Sequence, residues 1–177
     1  MTRITPVSSA AADQHVCAMP EGPRRLEERD RPAVLAHLQR LGDEDRRLRF
    51  LQTTTDEMLQ AYVSRLCFDS APCFGFFDAA GSLIALAEGL PDADEELRSL
   101  EAAFTTDAGW RRRGLASTLF DTLKQQLAAR GGSEIVLHCD ARNRPMRGLL
   151  LRVDAVIEVD GSEVHAVWRP LPTTEGC

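Results

Sequence analysis

Apolar positions along the chain switch between helical and strand spacing, and each switch marks an element boundary. Val34, Leu35, Leu38 and Leu41 recur at helical spacing after Asp30, a good N-cap, and Pro32, which a first turn tolerates. They predict a helix over residues 31–41, with a short, weakly signalled strand at 24–26 before it. A second helix is expected after TTTDEM: Thr54 and Glu57 have capping-box spacing, and Met58, Leu59, Tyr62, Val63 and Leu66 share one stripe. The period then shortens. CFGFF and SLIALAE are strand-type runs about the turn DAAG, which reads as an antiparallel hairpin, and LRSLEAAFTT is a third strand. From Gly114 to Arg130 the helical period returns, with Ala116, Phe120, Leu123 and Leu127 on one face and a glycine beyond the last turn. EIVLHCDA reads as a buried strand parallel to its predecessor, and RPMRGLLLRV as a short helix. AVIEV and EVHAVWR about Asp160-Gly161 close the pattern as a hairpin.

This order predicts a mixed α/β sheet with one parallel βαβ unit over residues 97–141. Open sheets bind ligands at such a strand-to-helix junction. Residues 1–22 and 173–177 lack periodicity and read as tails, which leaves one domain over 23–172 of the 177 residues.

Charge and cysteine content narrow the function classes. A formal net charge of −6 argues against a nucleic-acid binder and favours cationic partners. The five cysteines form no C-x-x-C pair, and the four histidines make no H-E-x-x-H, so neither a metal site nor a disulfide framework is expected. No signal peptide and no apolar run long enough for a bilayer is visible, and the reading is a cytoplasmic protein without membrane contact.

Against that acidic background, GWRRRGLASTLF at 109–120 stands out. Arginines at a helix start oppose the positive end of the helix dipole unless an anion sits there. A helix N-terminus offers unpaired N–H groups, Gly114 lets a bulky anion approach the backbone, and Ala116 keeps the next position small. Arg111, Arg112 and Arg113 add charge that pairs with phosphate oxygens. Neither a P-loop nor a G-x-G-x-x-G fingerprint is present.

Arg111-Arg112-Arg113-Gly114-Leu115-Ala116 resembles the [Q/R]-x-x-G-x-[G/A] signature of the GCN5-related N-acetyltransferase family. LEAAFTTDAGWRRRGLA looks like the Glu-x-Ala-Phe strand and Arg-rich loop of its bacterial protein-lysine acetyltransferase branch. DARNRPMRGLLLRVDA is similar to that family's Asn-x-x-Met helix, and RDRPAVLAHLQRL with DEDRRLRF to the branch's early Arg-Phe element. The resemblance spans residues 24–170. It implies the family's fold, a mostly antiparallel sheet of about six or seven strands with a central parallel βαβ unit and flanking helices. It also implies acetyl-coenzyme A as acyl donor, its pyrophosphate held at Arg112–Ser117, including Leu115, and its pantetheine arm along Phe104, Thr105 and Thr106. Asn143 matches the residue that bonds the cofactor arm, and it reads equally well as the N-cap of the last helix.

Acyl transfer needs a neutral amine, and deprotonating lysine at pH 7 costs roughly 4–5 kcal/mol. Glu101, three residues before Phe104 and matching the branch's glutamate, is the candidate base. The family's usual tyrosine acid, seven residues beyond the Asn, is replaced by Leu150, and VDA stands at 153–155 where Gly-Phe is usual. The sole tyrosine, Tyr62, lies far off in the first half of the sequence. His138 and Cys139 read as a hydrogen-bonded tip and a packing residue, because adjacent strand residues face opposite ways. Trp110 and Trp168 read as packing, and the acidic run at 92–96 as a solvated loop near a cationic acceptor. The expected function is acetyl transfer from acetyl-coenzyme A to an amine, a protein lysine ahead of a small amine. The alternative is a catalytically weak coenzyme-A-binding module. The final hairpin also offers an edge through which a homodimer would pair.

Overall fold

One sheet organises the chain, and the computed structural model describes it over residues 19–91 and 99–170. Its strands are β1 (Arg24–Arg25), β2 (Cys73–Phe77), β3 (Leu83–Pro91), β4 (Ser99–Thr106), β5 (Glu134–Asp140), β6 (Val156–Asp160) and β7 (Glu163–Trp168). They lie in the order β1-β2-β3-β4-β5-β7-β6, and every neighbouring pair is antiparallel except β4 and β5. The hairpins and the parallel crossover therefore follow the sequence pattern. The readings at 1–18, 92–98 and 171–177, the acidic run among them, lie outside the described residues.

Helices α1 (Arg31–Arg40) and α3 (Asp56–Ser64) cover one face of β1–β4, burying Val34, Leu38, Leu59 and Val63 against Leu26, Leu83 and Leu86. Helices α4 (Leu115–Ala129) and α5 (Arg144–Arg152) cover the opposite face, where Phe120 is fully buried against Phe104 and Trp168. Complete burial of one such ring stabilises by about 1.5–3 kcal/mol. The buried stripe of α4 includes Leu115 and Leu119, whereas Ala116 is only half-buried at its margin. Cap assignment also shifts at α3. Thr55 rather than Thr54 is the N-cap, its Oγ1 accepting from Met58 N at 3.3 Å, and Thr54 instead donates to Gln52 O.

Apolar spacing gives no sign of α2 (Asp43–Phe50), which has no fully buried residue. Charge order holds it together. Three acids occupy its first turn and Arg47 and Arg49 its last, matching the helix dipole, and Glu44 pairs with Arg47 at 2.7 Å. Tertiary ion pairs then anchor it: Arg46 with Asp56 at 2.7 Å, Asp45 with Arg111 at 2.5 Å and Arg47 with Asp140 at 3.5 Å.

The parallel pairing is short. Ser99, Leu100 and Glu101 face Glu134, Ile135 and Val136, and there the ladder stops. Beyond it β4 stays paired with β3, and β5 with β7. The two central strands part toward the end where α4 begins.

Candidate active site

The opening between β4 and β5 becomes a cleft of about 520 Å³. Phe104, Thr105 and Thr106 line its β4 wall, His138 and Cys139 its β5 wall, and Asn143, which precedes α5, with Met146 of α5 a further side. Asp45, Leu48 and Arg49 of α2 roof it, so the polar helix belongs to the site.

At the mouth stands the arginine turn. Strand β4 ends at Thr106, a 3-10 turn over Ala108–Trp110 follows, and the backbone enters the left-handed region at Arg112 (φ 60°) and Gly114 (φ 84°). Gly114 is required by that angle, which costs other L-residues about 1–2 kcal/mol. A Cβ there would meet no atom of the described residues within 4 Å beyond its own chain neighbours, so the space before it is open. Among the described residues no side chain caps α4, no acid lies in its first turn, and its first hydrogen bond runs from Thr118 N to Gly114 O. The amides of Leu115, Ala116 and Ser117 therefore have no acceptor within the helix. All three residues line the cleft, as do Arg111 and Arg112.

Two of the expected anion ligands are differently employed. Arg111 is held by Asp45 and donates to Thr106 O at 3.3 Å. Arg113 does not line the cleft, and its guanidinium lies 4.7 Å from the centre of the Trp110 ring. Asn143 caps α5, accepting from Met146 N at 3.1 Å, while also lining the cleft, so its cap reading holds. Trp110 and Trp168 pack against the core as expected.

Side-chain direction separates the remaining candidates. The Phe104 ring is buried and lies 6.0 Å from that of Phe120. Thr105 turns the other way, its Oγ1 2.8 Å from Nε2 of fully buried His37. His37 Nδ1 lies 3.0 Å from Leu83 O and 2.9 Å from Asp107 Oδ1, with the hydrogen bond aligned on the carbonyl. Burial pushes the Asp107 carboxyl up, but His37 and Arg40 outweigh it and hold the group below the usual carboxylate range. His37 was not singled out from sequence, although a histidine three residues after Val34 in a buried stripe was the available signal.

Glu101 is exposed at the last parallel rung and does not line the cleft. It shares its sheet face with Ala103 and Thr105. Tyr62, remote in sequence, is brought beside β3, where its hydroxyl donates to Glu88 at 3.0 Å and accepts from Arg49. Burial and the neighbouring Glu88 push the tyrosine well above its ordinary value. Glu88 is fully buried and paired with Arg49 at 2.5 Å, a buried ion pair no sequence spacing announced. His138 is exposed and carries no hydrogen bond among the described residues, contrary to the expectation of a bonded tip. Its ring centre lies 4.9 Å from that of His165 on β7, the two rings tilted by 38°. Cys139 is buried, and burial together with Asp140 pushes its thiol up.

The uncapped glycine turn at the mouth of a cleft between parted central strands fits the acyltransferase fold that the sequence resemblance implies. The chain belongs to the acetyltransferase (GNAT) family, whose profile matches residues 35–154. No curated protein sequence matches it. Among solved structures, the GNAT domain of S. lividans PAT is similar at 15% identity, with a TM-score of 0.71 over 84% of this chain and 89% of that one. A spermidine N-acetyltransferase from Vibrio cholerae, solved with CoA and spermine, is 18% identical, with a TM-score of 0.64 over 83% and 94%. A ribosomal-protein-S5-alanine acetyltransferase from Vibrio fischeri is 12% identical, with a TM-score of 0.65 over 83% and 91%. Among the described residues no helix is long and apolar enough to cross a membrane.

Proposed function

We propose that the protein acetylates a lysine on a protein surface, using acetyl-coenzyme A bound in the cleft. The observation that carries the cofactor assignment is the bare start of α4, with its left-handed Gly114 and acceptor-free amides. In this reading Leu115, Ala116 and Ser117 hold the pyrophosphate through their amides, and Arg111, Arg112 and Arg113 supply charge. The pantetheine arm follows β4 at Phe104, Thr105 and Thr106, past Asn143, and the thioester reaches the point where β4 and β5 separate.

The acceptor assignment rests on the uncovered part of the sheet. On the face of β5, β7 and β6 turned away from α4, Val136, Val167 and Val156 are half-buried or exposed. Exposed Glu158, Asp160 and Glu163 share that face, and Glu101 stands at its border with β4. An open, acidic, partly apolar surface suits a cationic macromolecular acceptor better than an enclosed small amine. Glu101, at the foot of the split, takes the first proton from the ammonium directly or through water. The scattered thiols are consistent with a cytoplasmic setting, and the free β6 edge, with Val156 and Val159 exposed, with a homodimer.

A second reading, a coenzyme-A-binding module with little turnover, draws on Leu150, which is fully buried where a tyrosine acid would stand. A thiol-release assay with acetyl-coenzyme A separates the two. The transfer reading expects release with poly-lysine above that with spermidine, and Glu101→Gln to lower kcat about 100-fold or more with little change in cofactor affinity. Cofactor binding without release for any acceptor supports the module instead.

A further inference from the structure

We propose that His138 carries a proton from the tetrahedral intermediate to the departing coenzyme A sulfur, with His165 and Glu158 positioning and charge-balancing its ring. The inference rests on the acetyl-transfer reading and identifies a residue for a step that reading leaves without one.

The placement follows from strand register. Glu101 and Val136 form the last rung between β4 and β5, so Ala103 and His138 are the next residues of the same face, one on each side of the gap. The thioester would lie between them. His138 lines the cleft, is exposed, and has no hydrogen bond among the described residues that would immobilise either ring nitrogen.

Elimination among the cleft-lining groups gives the same residue. A proton shuttle at neutral pH needs a group that both gains and loses a proton there. Asp45 is committed to Arg111, the arginines stay charged, and burial holds the Cys139 thiol in its neutral form. Among the described residues neither tyrosine nor lysine lines the cleft, and Tyr62 is tied to Glu88 and Arg49. His138 is the remaining group.

The row behind it is ordered across the strands. His138 faces His165 on β7, and His165 faces Glu158 on β6, so imidazole, imidazole and carboxylate stand side by side on one face. The ring contact to His165 limits rotation of His138, and the carboxylate beyond offsets the charge of an imidazolium. Other charged groups on this face or cleft, among the described residues, are Glu101, Glu134 with Arg169, Asp140 with Arg142 and Arg47, Asp160, Glu163, Asp45 with Arg111, Arg112, Arg49, Arg144 and Arg152.

The balance is as follows. The ammonium gives its first proton to Glu101 and the neutral amine attacks, forming the N–C bond while the carbonyl electrons move to oxygen. The intermediate's nitrogen now carries two hydrogens and a positive charge. Neutral His138 accepts one of them. The oxyanion re-forms the carbonyl, the C–S bond breaks with its electron pair on sulfur, and imidazolium protonates the thiolate. Amide and thiol leave, His138 is neutral again, and Glu101 returns its proton to water.

Two experiments on the full chain test this. In histidine-detected NMR, coenzyme A should shift the His138 ring signals while desulfo-coenzyme A, which lacks the sulfur, should not; equal responses overturn the proposal. In thiol release with poly-lysine, His138→Ala should lower kcat about 100-fold and regain about tenfold with added imidazole. His165→Gln should lower kcat about three- to tenfold without altering coenzyme A affinity. A His138→Ala enzyme with wild-type kcat, or one whose loss imidazole does not restore, contradicts the assignment. Failure of the transfer reading looks different: the wild type itself then binds coenzyme A but releases no thiol with either poly-lysine or spermidine.

Discussion

Two helix starts border the same cleft and are built in opposite ways. Helix α5 begins on Asn143, whose side chain caps Met146 N, with Pro145 in its first turn needing no partner for a missing N–H. Helix α4 begins on a left-handed glycine with no cap, no acid and three arginines before it. One start is complete in the protein alone. The other leaves the amides of Leu115, Ala116 and Ser117 without an acceptor in the helix, which is the arrangement a diphosphate would complete.

The contrast is sharpened most by Gly114→Val. A β-branched residue at φ 84° is strained, and its side chain would fill the open space before the amides. Thiol release at limiting acetyl-coenzyme A should fall about 100-fold, with the far-ultraviolet circular dichroism unchanged. Replacing Arg111 and Arg112 together by Ala should weaken coenzyme A binding about tenfold in calorimetry and flatten its salt dependence. Asn143→Ala should instead cost about 1 kcal/mol of stability in urea unfolding and disturb coenzyme A affinity less than either change at α4. Equal losses of affinity at the two helix starts would erase the distinction.

The smallest effect concerns Asp107, which leads into the α4 turn. Its carboxyl is lowered in the folded protein, so its contribution is full above the ordinary aspartate value near about pH 4 and is lost as acid drives the pH down through the lowered value. Asp107→Asn should remove that part of the acid dependence and cost about 1 kcal/mol at pH 7, read from unfolding curves at several pH values.

Residue patterns reveal these regions unequally. The hairpins, α4 and the glycine turn were legible because local spacing and turn chemistry dictate them: Asp160-Gly161 makes its turn with φ 57° at the glycine, and Gly131 closes α4 at φ 70°. Helix α2 was hidden because its stability comes from ion pairs to Arg111, Asp140 and Asp56, partners far apart in sequence. The Arg49–Glu88–Tyr62 cluster was hidden for the same reason, since residues separated by 39 and 26 positions meet only after β3 is packed beneath α2 and α3. The parting of β4 and β5 was likewise invisible: both strands read as ordinary apolar runs, and only the register shows that their ladder ends at Glu101. The turn could therefore be read from its own residues, while the cleft behind it required the fold.

A crystal structure with coenzyme A bound tests the central claim most directly. The account predicts pyrophosphate oxygens within about 2.7–3.2 Å of the backbone nitrogens of Leu115 and Ala116, with the arm running between β4 and β5. Coenzyme A bound elsewhere, with those amides facing only water, would contradict it.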